Sequence, residues 1–207
     1  ESQVLLIFDE VITGFRLALG GAQERFAISA DIVTYGKTLG GGLPIGVMTG
    51  TPDVLSRITA YQGGEKLPVF NGGTFSANPL TVAAGMAVVR HLTETREETY
   101  GRLEHSGETV RANLNDFCRS NGVPAHVIGI GSIFRILFTD QPVRSRRDRD
   151  LMEIPYQAQR DFYARLLSAG VHVGTNGINF ISLAHTDEDL DKVCACYRDV
   201  LSALTVI

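Results

Sequence analysis

The sequence predicts an α/β fold: the latter half of a domain built on a mostly parallel sheet, followed by a smaller α+β domain. Three stretches carry that prediction. Val4-Leu5-Leu6-Ile7-Phe8 is a continuous apolar run, the pattern of a strand buried on both faces of a parallel sheet, and it ends in Asp9-Glu10. Ile32-Val33-Thr34-Tyr35 is a second extended apolar run, and it delivers Lys37 between Gly36 and the Gly40-Gly41-Gly42 cluster. Asn78-Pro79 opens a helix with Leu80, Ala83, Ala84, Ala87 and Val88 on one face, small enough to pack closely on a sheet or a partner.

Between the first two strands, Val11 to Arg16 leads into a Gly20-Gly21 turn, and Gln23 to Ile28 reads as a short helix. Ile45 to Thr49 reads as a third short strand. Thr51-Pro52-Asp53 then supplies an N-cap, a proline at the first position and an acidic first turn for a helix to about Ile58. Thr59 to Gly73 is a glycine-rich loop. The character changes near Tyr100, which divides the chain into domains at 1–100 and 101–207. Val110, Leu114, Phe117 and Cys118 define a helix that stops near Asn121-Gly122. Val127 to Phe138, interrupted by Gly129 and Gly131, reads as one or two strands. Pro142 to Arg149 reads as a charged, solvated linker whose arginines are offset by Asp148 and Asp150. Phe162, Leu166 and Leu167 mark a helix ending at Gly170, and Val171 to Val173 and Ile178 to Leu183 are expected strands. Thr186 caps a last helix that buries Leu190, Val193, Cys194, Tyr197, Val200, Leu201 and Leu204.

Composition excludes several function classes. Nineteen basic against 23 acidic residues give a net charge of -4, no footprint for nucleic acid or an anionic membrane. No apolar run approaches the roughly 18–20 residues of a membrane span, and no signal peptide opens the sequence. Three cysteines, two as Cys194-Ala-Cys196, do not form a secreted disulfide framework, so a reducing, cytosolic setting is expected. The five histidines lie scattered without metal-ligand spacing, and no metal is expected. The apolar run near residue 4 would be a central strand with no preceding element to pair with, so the chain is expected to be the C-terminal part of a longer protein.

Chemistry concentrates at the ends of the first two strands. In open α/β sheets ligands collect at the carboxyl edge. Successive side chains on a strand point opposite ways, so only one of Asp9 and Glu10 is expected to face a ligand. Lys37 among glycines can meet a phosphate as a cation or a carbonyl carbon as an amine, the second route giving a Schiff base. A phosphate-loop nucleotide site is the sharpest rival, because Gly36-Lys37-Thr38 is the tail of that motif. It fails on context: the first glycine would fall on Asp31, the acidic strand precedes the lysine, and glycines follow where a helix should begin. A docking module is the other rival, and it leaves Asp9 and Lys37 on neighbouring strand ends unexplained.

Leu5 to Arg16, Gly20-Gly21-Ala22-Gln23, the Asp31–Gly50 stretch around Lys37, and Gly72-Gly73-Thr74-Phe75-Ser76-Ala77-Asn78-Pro79 together resemble the class III pyridoxal-phosphate aminotransferases. Within that class the sequence is most similar to glutamate-1-semialdehyde aminomutases and related β-amino-acid aminotransferases. The likeness is dense from Val4 to about Gly85 and looser after Tyr100. It implies a fold-type I transferase acting as a homodimer with its site at the subunit interface. It also implies roles: Asp9 pairs with the pyridine nitrogen, Val11 packs on the ring, and Lys37 holds pyridoxal 5'-phosphate as a Schiff base and shuttles protons. Gly73 and Thr74 would bind the cofactor phosphate of the neighbouring subunit. The implied reaction transfers an amino group between an amino donor and a keto or aldehyde acceptor. The alternative is the intramolecular transfer of an aminomutase, a step of tetrapyrrole synthesis. Two departures stand out. The family's N-terminal phosphate loop and ring-stacking aromatic do not precede Glu1, and Asn176 to Ser182 lacks the arginine with which many class III transaminases bind a substrate carboxylate.

Overall fold

The computed structural model describes residues 4–56, 72–174 and 176–203. The chain separates into two compact units, Glu1–Tyr100 and Gly101–Ile207.

In the first unit, β1 (Ile7–Asp9) pairs in parallel with β2 (Ile32–Tyr35), with Ile7 opposite Ile32 and Asp9 opposite Thr34. β3 (Val47–Gly50) runs antiparallel to β2, so the described sheet holds one parallel and one antiparallel pair. β2 reaches β3 through residues 36–46, which carry the Gly40-Gly41-Gly42 cluster. The crossover from β1 to β2 carries α1 (Gly21–Phe26), two residues earlier than the expected Gln23–Ile28. α2 (Pro52–Leu55) starts as predicted behind Thr51, while the expected end near Ile58 and the Thr59–Gly73 loop fall largely outside the described residues.

α3 (Pro79–Glu94) begins at the predicted cap, where the Asn78 carboxamide oxygen accepts the N–H groups of Leu80 and Thr81. Its packed face differs from the expected one. Gly85 and Leu92 are buried and Ala84 and Val88 half-buried, whereas Leu80, Ala83 and Ala87 are exposed. Gly85 decides this: a Cβ there would lie 3.3 Å from the Leu39 carbonyl oxygen and 3.2 Å from Ile45, so the helix lies almost against the backbone that follows β2.

α4 (Arg96–Ser120) is longer than the segment its apolar residues mark, and the division between units falls within it. In the second unit, β4 (His126–Ile130) and β5 (Ile133–Leu137) form a hairpin, and β6 (Ile178–Phe180) adds antiparallel to β5. Asn115 on α4 extends this sheet by side chain, its amide donating to the Val127 carbonyl at 2.9 Å and its oxygen accepting the Val127 N–H at 2.7 Å. Val171–Val173 runs without a paired strand, contrary to expectation, among the described residues.

The expected charged linker is also corrected, because α5 (Arg146–Met152) occupies its second half. The Ser145 hydroxyl caps it by accepting the Asp148 N–H at 3.1 Å, and Arg146 pairs with Asp150 one turn on at 3.2 Å. α6 (Tyr156–Ser168) and α7 (Asp187–Ser202) cover the sheet, with Val110, Leu114, Phe134, Phe162, Leu166, Cys194, Tyr197 and Leu201 in one buried cluster. Leu167, which with Phe162 and Leu166 marks α6, is exposed, and Leu204 lies outside the described residues. Phe162 organises the aromatic centre, edge-on to Phe138 at 4.9 Å and to Tyr197 at 5.7 Å. No helix among the described residues is long and apolar enough to cross a membrane.

Candidate functional site

β1 and β2 run in the same direction, so their carboxyl ends open on one edge of the sheet, and the chemistry-bearing residues leave from there. Asp9 is the last residue of β1. Its Oδ1 accepts the Val11 N–H at 3.0 Å, a short turn that holds the carboxylate at the strand end. Among the described residues no ion pair engages it, so its second oxygen is free to accept a proton-bearing group. Glu10, one residue on, goes the other way. It is 1% exposed, and it accepts the Thr13 hydroxyl at 2.5 Å, the Ala22 N–H at 2.8 Å and the Gln23 N–H at 2.9 Å. The strand alternation expected from sequence therefore assigns one carboxylate to the interior and one to the open edge.

Val11 turns back over Gly36, where a Cβ would stand 3.4 Å from the valine side chain and 3.3 Å from the Ile45 carbonyl. Gly36 thereby lets Val11 lie between the two strand ends. Lys37 follows at the start of a single 3-10 turn, Lys37–Gly40, with a left-handed φ of 45°. A non-glycine residue held there costs roughly 1–3 kcal/mol, and such strain gathers at functional positions. Lys37 is exposed, and its amine has no hydrogen-bond or ion-pair partner among the described residues.

The loop between β1 and α1 is pinned from several sides. Tyr100 donates its hydroxyl to the Phe15 carbonyl at 3.1 Å, and burial, with Glu24 adding to it against Arg96, pushes that phenol up to about 12. Phe15 packs its ring 5.5 Å from that of Tyr35. Gly14 is required beneath, since a Cβ there would overlap the Tyr35 ring.

Gly73 and Thr74 lie in the turn before α3, where Ser76 N–H donates to the Gly73 carbonyl at 3.0 Å. Both are exposed, and the Thr74 hydroxyl has no hydrogen-bond partner among the described residues. A cavity of about 610 Å³ in the second unit is bordered by Val171, His172, Phe180 and Cys196, and none of the predicted residues lines it. No cluster of metal-ligating side chains occurs among the described residues. Sequence reasoning missed Glu10, Gln23 and Tyr35 as a connected set. The signal was Gly20-Gly21 ahead of Ala22-Gln23: Gly21 has φ of 74°, and a Cβ there would overlap the Glu10 carboxylate.

The sequence profile of the class-III aminotransferases matches residues 1–201. Among curated relatives, a glutamate-1-semialdehyde 2,1-aminomutase of Methanococcoides burtonii is 40% identical over 199 residues, covering 95% of this chain and 45% of that protein. The protein of the same name from Thermomicrobium roseum is 37% identical over 204 residues, covering 98% of this chain and 45% of its own length. The chain thus spans less than half the length of the curated relatives it matches. An omega-transaminase from Sphaerobacter thermophilus superposes with a TM-score of 0.80 at 30% identity, over 96% of this chain and 44% of that one. A beta-phenylalanine aminotransferase from Variovorax paradoxus does so with 0.83 at 32% identity, over the same 96% and 44%. The α/β fold predicted from the apolar runs, that of fold-type I transferases, is therefore the fold observed.

Proposed function

From the premise that this chain belongs to the class-III aminotransferase family, we propose that it carries the lysine-bearing part of a pyridoxal-phosphate enzyme that moves an amino group from an amino compound to a keto or aldehyde acceptor. One observation carries the reading. Asp9 and Lys37 leave the carboxyl ends of two adjacent parallel strands, with Val11 between them and Lys37 held at a left-handed φ.

The residues fit that cofactor. Asp9 offers one unpaired carboxylate oxygen to a protonated ring nitrogen, Val11 offers an apolar surface, and Lys37 offers an amine with no competing partner in the described chain. Bound pyridoxal phosphate supplies an electron-withdrawing ring and a carbon that holds amino groups covalently. Asp9 then keeps a proton on the ring nitrogen through its free oxygen. Val11 fixes the plane of the ring by contact. Lys37 Nζ would anchor the cofactor and, as a free amine, would take and return a proton as a general base. That task needs an uncharged amine near neutral pH, and Lys37 is exposed in this chain. The shielding walls are therefore assigned to the rest of the polypeptide and to a second copy, in a homodimer with its site at the interface. Gly73 N–H and the Thr74 hydroxyl, exposed and without a hydrogen-bond partner among the described residues, serve as donors to the phosphate held by that second copy. Three free cysteines accord with a reducing, cytosolic setting.

A second reading, intramolecular transfer, is favoured by the relatives near 40% identity that are named aminomutases, and by the lack of an arginine in 176–182. The two part on one test. In the mutase reading the pyridoxamine form starts turnover on its own substrate; in the transaminase reading it needs an external keto acid.

The deciding experiment is borohydride reduction of the protein after addition of pyridoxal phosphate, followed by peptide mapping. A pyridoxyl adduct confined to Lys37, absent in Lys37→Ala together with turnover, is the expected result. Labelling spread over several lysines in the native full-length protein, or substantial turnover in Lys37→Ala, would reject the assignment.

A further inference from the structure

Between the two strand ends runs a continuous set of hydrogen bonds with Gln23 at its centre. Glu10, adjacent in sequence to Asp9, accepts the Gln23 backbone N–H at 2.9 Å. The Gln23 side chain then reaches both ends of β2. Its oxygen accepts the Ala30 N–H at 2.9 Å, ahead of the strand, and its amide donates to the Tyr35 hydroxyl at 3.3 Å, two residues before Lys37. The Glu10 end is rigid, since the buried carboxylate holds three donors and its loop is closed by Gly14 N–H on the Glu10 carbonyl at 2.8 Å. The Tyr35 end is seated as well, with its ring against Phe15 and over Gly14. Burial and the Glu10 carboxylate push the Tyr35 phenol up, against a smaller opposing pull from Gln23, so the group is a neutral hydroxyl at physiological pH and a sound acceptor.

Resting on the pyridoxal-phosphate reading above, we infer that Gln23 is a positioning residue: through Glu10 and Tyr35 it sets the span between the Asp9 carboxylate and the Lys37 amine. The physical need is clear. The backbone at Lys37 sits at a φ that an unsupported lysine leaves readily, and Gly36 before it imposes no restraint of its own. A bond to Tyr35 at the last residue of β2 fixes the point from which the chain enters that turn. A site held loosely by even an ångström loses much of its rate, because reacting groups must meet in a narrow geometry.

The test uses the native full-length protein loaded with pyridoxal phosphate and two variants of unequal severity. Tyr35→Phe keeps the ring contacts and removes only the acceptor for Gln23; Gln23→Met keeps side-chain length and removes the side-chain bonds to Ala30 and Tyr35 while its backbone N–H stays on Glu10. The readouts are the visible circular dichroism of the bound cofactor, which reports how rigidly the ring is held, and kcat against KM. Both variants are expected to bind cofactor and to lose about half or more of the visible dichroic signal per bound cofactor. Tyr35→Phe should lower kcat about fivefold with KM little changed, the factor expected for one net hydrogen bond. The double variant should be no worse than Gln23→Met alone, since the one link that Tyr35→Phe breaks is already broken in Gln23→Met. Should Gln23→Met fail to fold, Tyr35→Phe alone carries the test. Parental dichroism and kcat in Tyr35→Phe, with Lys37 still trapped by borohydride, would overturn the positioning role and leave the cofactor reading intact. Absence of any Lys37 adduct in the parent would overturn both.

Discussion

Asp9 and Glu10 are neighbours of the same chemistry with opposite fates. Alternation along β1 turns Glu10 inward, where three donors hold it, and leaves Asp9 at the edge with one oxygen engaged by the Val11 N–H. That difference makes Asp9 the residue whose charge is available to a ligand. Asp9→Asn keeps the shape and the turn and removes the charge. It should lower kcat by about a hundredfold or more while cofactor affinity changes far less, because the lost interaction acts on charge developing during reaction. Single-turnover rates beside a cofactor titration would check it, and an unchanged rate would remove Asp9 from its role. The divergence of the two carboxylates was legible in the sequence. Alternation alone did not say which of them turned inward, because that depends on which face of the strand meets the Gly21 turn; only the family resemblance pointed to Asp9 as the outward one.

Elements are where local chemistry spoke most clearly. The Thr186 cap of α7 is complete: its hydroxyl accepts the Asp189 N–H at 3.1 Å, and the Asp189 carboxylate accepts the Thr186 N–H at 2.9 Å. Thr186→Ala should cost about 1 kcal/mol of stability in denaturant unfolding. The Thr186 backbone bond first, and then its hydroxyl, hold the Asp189 carboxyl below its ordinary 3.8. A depressed carboxyl stabilises the fold when ionised, so its contribution is present above 3.8 and is lost as pH falls through the lower folded value. Asp189→Asn should therefore flatten the acid side of the stability profile; a profile as steep as the parent's would contradict the capping role. α5 escaped the sequence reading because its arginines looked like a solvated run. The Ser145 cap and the Arg146–Asp150 pair make it a helix, and Arg135 joins Glu153 just beyond its end at 2.7 Å. Val171–Val173 misled in the other direction: it has strand composition, but a strand needs an edge to pair with, and composition does not supply one.

At the scale of the molecule the two units differ in how their apolar surface is spent. The second unit closes a core of its own, with Leu114, Ile136, Phe162, Leu166 and Tyr197 fully buried. In the first, Leu5, Ile7, Phe75, Leu80 and Met86 are all more than half exposed, from 53% to 83%. The cores should respond accordingly. Leu114→Ala, deep in the second unit, is expected to cost about 2–5 kcal/mol, and native-state hydrogen exchange should find the slowest amides in β5 and the central turns of α4. Amides of β1, where Ile7 and the preceding Leu5 and Leu6 are exposed, should exchange much faster. Equal protection in β1 and β5 would show that the first unit is as well closed as the second.

By itself the sequence determined the two strands with Asp9 and Lys37 at their ends, the caps at Asn78 and Thr186, and the family to which the chain belongs. These depend on periodicity, on hydrogen bonds within a few residues, or on motif order, all of which a linear chain records. Only the tertiary structure decided that β3 returns antiparallel, that α3 packs through Gly85 rather than through its alanines, and that Glu10, Gln23 and Tyr35 join the two strand ends. Each of those is a contact between residues distant in the chain, set by how closely two backbones approach, and no local pattern of residues encodes that distance.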